Sequence, residues 1–407
     1  MENPFNYLQF ATGDRFYDRE EIRRDLRSRL LSGQTNVVLY GPRRYGKSSL
    51  VAELTADLEK AGIPCVTLDV VKVPSIELFA AAYMQKVYRK LAPVKFELRK
   101  IGGFLKSLRP KLTLDATGEA GVAFDLSERE IGSEELTEIL DLPQKLLPKG
   151  KRAVIVLDEF QEVGELLPND RFERVMRSVI QGHTKVSYVF LGSRYHMLRR
   201  MFTDHNRPFY KSALTVLLDK PPFEESVRFV MSRFRFGGLQ IGEDVAALLV
   251  AKSENIPYFI QQIGFEVFRA VRETSKKKVV EGDVLAAYAR LAGLNRDQYE
   301  QLMLTFSAAQ KKLLVALARE RTREFDDAYR RRYRLGPSST VNSSKRKLLE
   351  DGHIEQIATE CRIADPFFAE FLRLVYRRGD AMRVLLLAGE ESGVLYANQI
   401  RAEILEG

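Results

Sequence analysis

The sequence predicts an α/β fold in which a parallel sheet is covered by helices and followed by a helical segment and a small mixed module. Three observations carry this. An apolar, β-branched run at Asn36–Tyr40 leads into the turn Gly41-Pro42-Arg43-Arg44-Tyr45-Gly46-Lys47-Ser48 and then into apolar residues at helical spacing over Ser48–Lys60, which reads as strand, loop, helix. Two further apolar runs, Ala153–Leu157 and Val186–Leu191, end on Asp158-Glu159 and on Gly192-Ser193-Arg194. From Ser307 the order changes to three helical stretches, a pair of short alternating strands around His353–Asp365 and a last helix, which is the succession of a winged helix.

The loop carries the chemistry. Gly41 to Ser48 fits G-x-x-x-x-G-K-[ST], a pattern whose glycines let backbone N–H groups turn onto phosphate oxygens while the next helix adds positive charge at its N-terminus. Gly41, Pro42, Arg43, Arg44, Tyr45, Gly46, Lys47, Ser48 and Ser49 are therefore the expected nucleotide cradle. Lys47 is expected to reach the β- and γ-phosphates and Ser48 to ligate Mg²⁺. A chance strand-to-helix turn is the alternative, and the flanking strand and helix weigh against it.

Asp158, at the carboxyl end of its strand, is expected to hold the Mg²⁺ shell, and Glu159 to orient and polarise the attacking water. Ser193 is placed to sense the γ-phosphate from a neighbouring strand, or simply to cap the helix after it. Arg207, in a turn before Pro208, reads as an arginine finger acting in cis or on a neighbouring subunit; a solvated loop arginine is the alternative. Catalysis is thus assigned to Glu159, Lys47 and Arg207.

The remaining elements follow in order. A helix from about Arg19, with Ile22, Leu26 and Leu30 spaced by four, precedes the first strand, and Cys65–Val71 reads as the next one. Residues 74–150 interrupt the alternation with a helix, a hairpin suggested by Lys111–Leu114 and Val122–Leu126, and a helix near Glu134–Leu147. From Pro222 to about Gly293 the pattern is helical, with a break at Ile256-Pro257. The expected domains are 1–220, holding the phosphate loop and the 74–150 insertion, a helical lid at 221–300, a winged helix at 301–378 and a tail at 379–407. Such division suits 407 residues, because single cores stop growing at roughly 250–300.

Composition excludes several classes. Hydrophobic residues make up 45% and charged residues 29%, as in folded soluble proteins. Cys65 and Cys361 form no disulfide framework, and the four histidines show no zinc-like spacing. No apolar run approaches the ~20 residues of a membrane span, and no leader pattern opens the chain, so a cytoplasmic protein is expected. A net charge of +9 permits an acidic partner, although solvated surface lysines and arginines explain it equally well.

Taken together, the stretches "FATGDRFYDREE", "LYGPRRYGKSSL", "IVLDEFQEV", "LGSRYHMLRRMF", "RPFYKSA", "IPYFIQQIG" and "LGPSSTVNSSKRKLLEDGHIEQ…DPFFAEFL" give a chain that resembles the archaeal-type ATPases of the P-loop class, close to the STAND branch of the AAA+ ATPases. The resemblance spans about residues 10–378. It implies an ATPase core, a helical lid and a C-terminal winged helix. Gly41, Gly46, Lys47 and Ser48 would hold phosphate and Mg²⁺, Asp158 and Glu159 would serve metal and water, and Pro257 with Tyr258 would sit where lid meets nucleotide. In related switches ADP locks lid and winged helix down and ATP releases them. Here Glu254-Asn255-Ile256-Pro257 lacks the glycine pair before the proline, and no sensing repeats follow the winged helix. The tail Met382–Gly407 instead resembles the opening of lipid-A-disaccharide synthase, as a reading-frame fusion would; an ordinary terminal strand–helix unit is the alternative.

The expected ligands are ATP or ADP and Mg²⁺. The leading function is a Mg²⁺-dependent, ATP-hydrolysing switch whose nucleotide state controls the lid and winged helix. The alternative is a DNA-binding ATPase similar to origin-recognition proteins, with Ser339, Asn342, Lys345 and Arg346 in the major groove and Arg330–Arg334 on phosphate. A nucleotide-dependent scaffold holding a protein partner is a third reading. Oligomers are compatible with all three, and a membrane partner is not expected.

Overall fold

The computed structural model describes residues 2–7, 19–33, 35–92, 111–114, 120–124, 126, 131–167, 169–274, 276–322, 325–357 and 360–376. Most of the stretch Phe10–Glu21 and the whole tail 382–407 lie outside the described residues. In chain order the elements are α1 (Glu20–Ser32), β1 (Val37–Tyr40), α2 (Lys47–Lys60), β2 (Cys65–Asp69), α3 (Ile76–Leu91), β3 (Lys111–Leu114), β4 (Ala120–Ala123), α4 (Ser133–Leu146), β5 (Ala153–Asp158), α5 (Arg171–Gln181), β6 (Val186–Gly192), α6 (Tyr195–Thr203) and β7 (Leu214–Leu217). They continue as α7 (Phe223–Phe236), β8 (Gln240–Ile241), α8 (Glu243–Lys252), α9 (Pro257–Arg272), β9 (Lys278–Val279), α10 (Glu281–Leu294), α11 (Arg296–Thr305), α12 (Ala308–Arg319), α13 (Asp327–Arg332), α14 (Ser338–Glu350), β10 (Ile354–Ile357), β11 (Glu360–Ile363) and α15 (Pro366–Val375). The chain divides into two compact units, residues 1–233 with 255–262, and residues 234–254 with 263–407.

In the first unit, five strands form a parallel sheet in the order β2-β5-β6-β1-β7. Alternate residues of each strand enter opposite cores. Val37, Leu39, Val154, Val156, Val189 and Leu191 pack with Leu26, Leu30, Leu50 and Leu54 of α1 and α2. Val38, Ile155, Leu157, Tyr188 and Phe190 pack on the other face with α3, α4, α5 and α6. Burial on both faces is why these strands read as unbroken apolar runs. Each fully buried Leu or Val there contributes about 1.5–3 kcal/mol.

The hairpin of the 74–150 segment pairs Lys111–Leu114 with Ala120–Ala123, not with residues up to Leu126. The alternation at 122–126 has a second cause: Phe124 and Leu126 are buried in the sheet's own core. The parallel edge strand β7 was not anticipated. Its residues are half-buried and exposed in turn, so its apolar signal is weak, and its place is fixed by pairing with β1.

The strand order sets the site. β5, β6 and β1 lie side by side, with Tyr40 opposite Gly192 and Leu157 opposite Phe190, so the three polar tips foreseen from sequence fall at one edge. Ligands bind at this carboxyl edge in open α/β sheets.

In the second unit, α12 begins with a capping box in which Ser307 accepts from the Gln310 N–H and Gln310 accepts from the Ser307 N–H. β10 and β11 form an antiparallel pair, extended by a bridge from Thr322 to Cys361. Asp365 caps α15, whose first residue is Pro366.

Candidate nucleotide site

The loop after β1 is shaped by two backbone constraints. A side chain at Gly41 would bring its Cβ within 2.5 Å of the Leu218 carbonyl oxygen, and the Leu218 N–H donates to the Tyr40 carbonyl at 2.8 Å. Only glycine lets the loop leave the sheet that close to the segment after β7. At the other end Gly46 is left-handed at φ 88° and Arg44 at φ 69°, which turns the chain sharply into α2. Gly46, at the N-cap of α2, has no side chain to cap the helix, and a helix N-terminus carries partial positive charge.

Lys47 opens that helix and is 7% exposed. Its Nζ donates to the carbonyls of Gly41 and Pro42, both at 2.8 Å. Burial lowers its pKa to about 8, against the opposing pull of Glu159 and Asp158 and with a further push from Arg43. This ammonium gains by meeting negative charge.

At the tip of β5, Asp158 Oδ1 accepts from the Glu159 N–H at 2.9 Å. Burial, then the neighbouring Glu159, pushes the Asp158 carboxyl up from its ordinary value. Glu159 itself is left-handed, φ 51°. Its Oε2 accepts from the Ser193 N–H at 3.1 Å, from Ser193 Oγ at 2.9 Å and from Gln161 Nε2 at 2.6 Å. Arg43 Nε donates in turn to Ser193 Oγ at 3.2 Å. Loop, Glu159 and Ser193 thus form one connected polar set.

Tyr258 also meets the loop. Its N–H donates to the Arg44 carbonyl at 3.4 Å, and the Arg44 guanidinium lies 5.2 Å from the Tyr258 ring centre and 4.8 Å from that of Phe259. Pro257 starts α9 and so delivers Tyr258 there. Ser48 and Ser49 stand half-buried in the first turn of α2.

Arg207 lies elsewhere. It pairs with Asp170 at 2.8 Å and with the fully buried Glu173, and among the described residues no contact joins it to the set around Glu159. Burial pushes the Glu173 carboxyl up to about 7, with Arg207 opposing. Gln161, by contrast, belongs to the set and was missed from sequence. The one signal for it is an amide lodged between Phe160 and Val163, both fully buried.

In the second unit, Ser339, Asn342 and Arg346 of α14 are exposed, whereas Lys345 is half-buried with its Nζ 5.7 Å from the Phe325 ring. A hollow formed by α13 and the turn that leads into α14 is lined by Asp327, Arg330, Arg331, Arg334 and Pro337. Arg330 pairs with Asp327, and Arg332 with Glu320 at 2.7 Å.

A family model described as a probable winged helix domain matches residues 297–374. Among solved structures, a Walker-type ATPase of Pyrococcus abyssi is similar, with a TM-score of 0.62 at 20% identity over 91% of this chain and 99% of that one. The chain shares the fold of this ATPase, a helix-covered parallel sheet followed by a winged helix. Two proteins of Aeropyrum pernix are similar in fold: ORC2 in its ADPNP–ADP complexes, TM-score 0.57 at 12% identity over 95% and 98% of the two chains, and ORC1 in complex with DNA, TM-score 0.50 at 14% identity over 90% and 95%. No curated protein matches the chain. No helix among the described residues is long and apolar enough to cross a membrane.

Proposed function

We propose that the chain binds Mg²⁺-ATP at the Gly41–Ser48 loop and hydrolyses it, and that its nucleotide state sets the position of the lid and winged helix. The observation that carries this is the convergence of a buried, under-compensated Lys47 with Asp158 and a Ser193-held Glu159 at the tips of adjacent strands. The donor set fits the metal: the Ser48 hydroxyl and the Asp158 carboxylate are hard oxygens, and Mg²⁺ prefers a few such ligands completed by phosphate and water. When bound, Mg²⁺ supplies neutralisation of the phosphate charge.

The residues divide the work. The uncapped first turn of α2 and the loop's N–H groups receive the β-phosphate, and Lys47 exchanges its two carbonyl partners for phosphate oxygens. Glu159 accepts hydrogen-bond donation from the attacking water and orients it. Ser193 and Arg43, already bonded to each other, stand ready to report the γ-phosphate. Tyr258 against Arg44 places the start of α9 on the loop, where nucleotide state reaches the residues that follow. An arginine-finger role for Arg207 requires it first to leave Asp170 and Glu173.

A second reading is favoured by the exposed Ser339, Asn342 and Arg346 of α14 beside the arginines that line the adjacent hollow: this face suits duplex DNA. One experiment tests both. ATP turnover is measured with and without duplex DNA across a salt series, beside Lys47→Ala and Glu159→Gln. Slow turnover, indifferent to DNA and lost in both variants, supports the switch. Stimulation that fades with salt supports the DNA reading. Turnover that survives in both variants would sink the site assignment.

A further inference from the structure

Gln161 is 1% exposed. Its Nε2 donates to Glu159 Oε2 at 2.6 Å and to Glu162 Oε1 at 3.1 Å, while its own Oε1 is buried and accepts from nothing among the described residues. That oxygen rests on the bare backbone of Gly192, where a Cβ would come within 2.1 Å of it. Burying an amide with its carbonyl unpaired costs stability, and an apolar side chain of equal length would fill the same space. What the fold gains from this amide is its donation to Glu159, at the shorter distance, and to Glu162.

What it does is geometric. Oε2 of Glu159 takes three donors, one from Gln161 and two from Ser193, more than the two in-plane lone pairs of a carboxylate oxygen. Ser193 follows β6, which lies between β5 and the strand that leads into the phosphate loop, so these bonds draw the side chain toward Lys47. Oε1 is the oxygen left to receive a proton or hydrogen bond from water. A left-handed backbone at a non-glycine residue is held in place only when its surroundings over-determine it, and Gln161 and Ser193 supply that constraint.

We propose that Gln161 is a positioning residue for Glu159: its buried amide, backed by Gly192, fixes one carboxylate oxygen so that the other faces the attacking water. This rests on the reading of Glu159 as the water-orienting group of an ATPase. The test uses the full chain with Gln161→Met, an unbranched near-isostere that removes both polar atoms, Gln161→Leu as a second variant, Glu159→Gln, and the double variant Gln161→Met/Glu159→Gln. Turnover constants for Mg²⁺-ATP, affinity for a fluorescent ADP analogue and thermal midpoint are measured for each.

The expected result is a kcat about 10- to 100-fold lower in Gln161→Met, the range seen when an outer-shell support is removed. KM and ADP affinity should stay at the wild-type values and the thermal midpoint at or above its own, and the double variant should turn over no more slowly than Glu159→Gln alone. An unchanged kcat, an equal loss in the Glu159→Gln background, or a rise in turnover would overturn the proposal, the last showing that Gln161 restrains Glu159 instead of presenting it. Wild-type protein that binds the ADP analogue but does not hydrolyse ATP would overturn the hydrolysis reading and this inference with it. That outcome differs visibly from a working enzyme indifferent to Gln161.

Discussion

The strand tips of the first unit and the arginine-rich face of the winged helix are both concentrations of charge, yet they are organised in opposite ways. At the strand tips, backbone constraints at Gly41, Gly46, Arg44 and Glu159 hold buried Lys47 near the half-buried carboxylates of Asp158 and Glu159. On the winged helix, the run Arg330–Arg334 is largely spent on its own surroundings: Arg330 on Asp327, Arg332 and Tyr333 on Glu320. Buried, strained charge points to chemistry. Exposed, paired charge is mostly surface, and counting it overstates what is left for a partner.

The comparison breaks first at the strand tips. Glu159→Gln should lower kcat by about 10²–10⁴, the range for a positioned base, while ADP affinity is kept; Lys47→Ala should lose nucleotide affinity as well. Equal effects of the two substitutions on affinity, read by equilibrium binding, would remove the division of labour between them. Arg207→Ala should destabilise the protein by about 3 kcal/mol, the low end for breaking a buried ion pair, because Glu173 can take up a proton. Chemical denaturation measures this. A stable variant that has lost turnover would instead make Arg207 the arginine finger.

On the winged helix, Arg331→Ala, in the run assigned to phosphate and exposed, should weaken binding to DNA of any sequence and reduce the slope of log affinity against log salt by about 1. Arg332→Ala, already committed to Glu320, should change neither. The reverse pattern in a salt titration would show that internal ion pairs open on this face when DNA arrives.

The smallest effect lies at the opposite end of the same sheet. There His183 is buried between Asp141 at 3.2 Å and the Tyr188 hydroxyl at 3.0 Å, and burial pulls its pKa below the ordinary 6.5, against the opposing Asp141. With the folded value depressed, the unfolded chain takes up the proton first. Stability is therefore fully present above about pH 6.5 and falls below it, by at most about 1.4 kcal/mol per pH unit. His183→Gln should flatten that part of a pH–stability curve; an unchanged slope would show that His183 is not its source.

Much of this was legible in the sequence. The strands β1, β5 and β6, the loop and its helix, the break at Pro257 and the winged-helix order all rest on local signals: apolar runs, glycine placement and helical spacing. β7 was not legible, because half its residues face outward and a four-residue run of that kind carries no distinct period. Gln161 was not either, since an amide among aromatic and aliphatic neighbours reads as a turn residue until its partners are known.

By itself the sequence determined which groups are chemically competent and which backbone positions must be glycine, because those depend on residue type and on neighbours a few positions away. Only the tertiary structure decided which of them meet. Ser193 reaches Glu159 across 34 positions and Arg43 across 150, Leu218 closes on Gly41, and Arg207 turns to Glu173, 34 residues back. Such pairings follow from strand order and burial on both faces of the sheet, which no local pattern encodes.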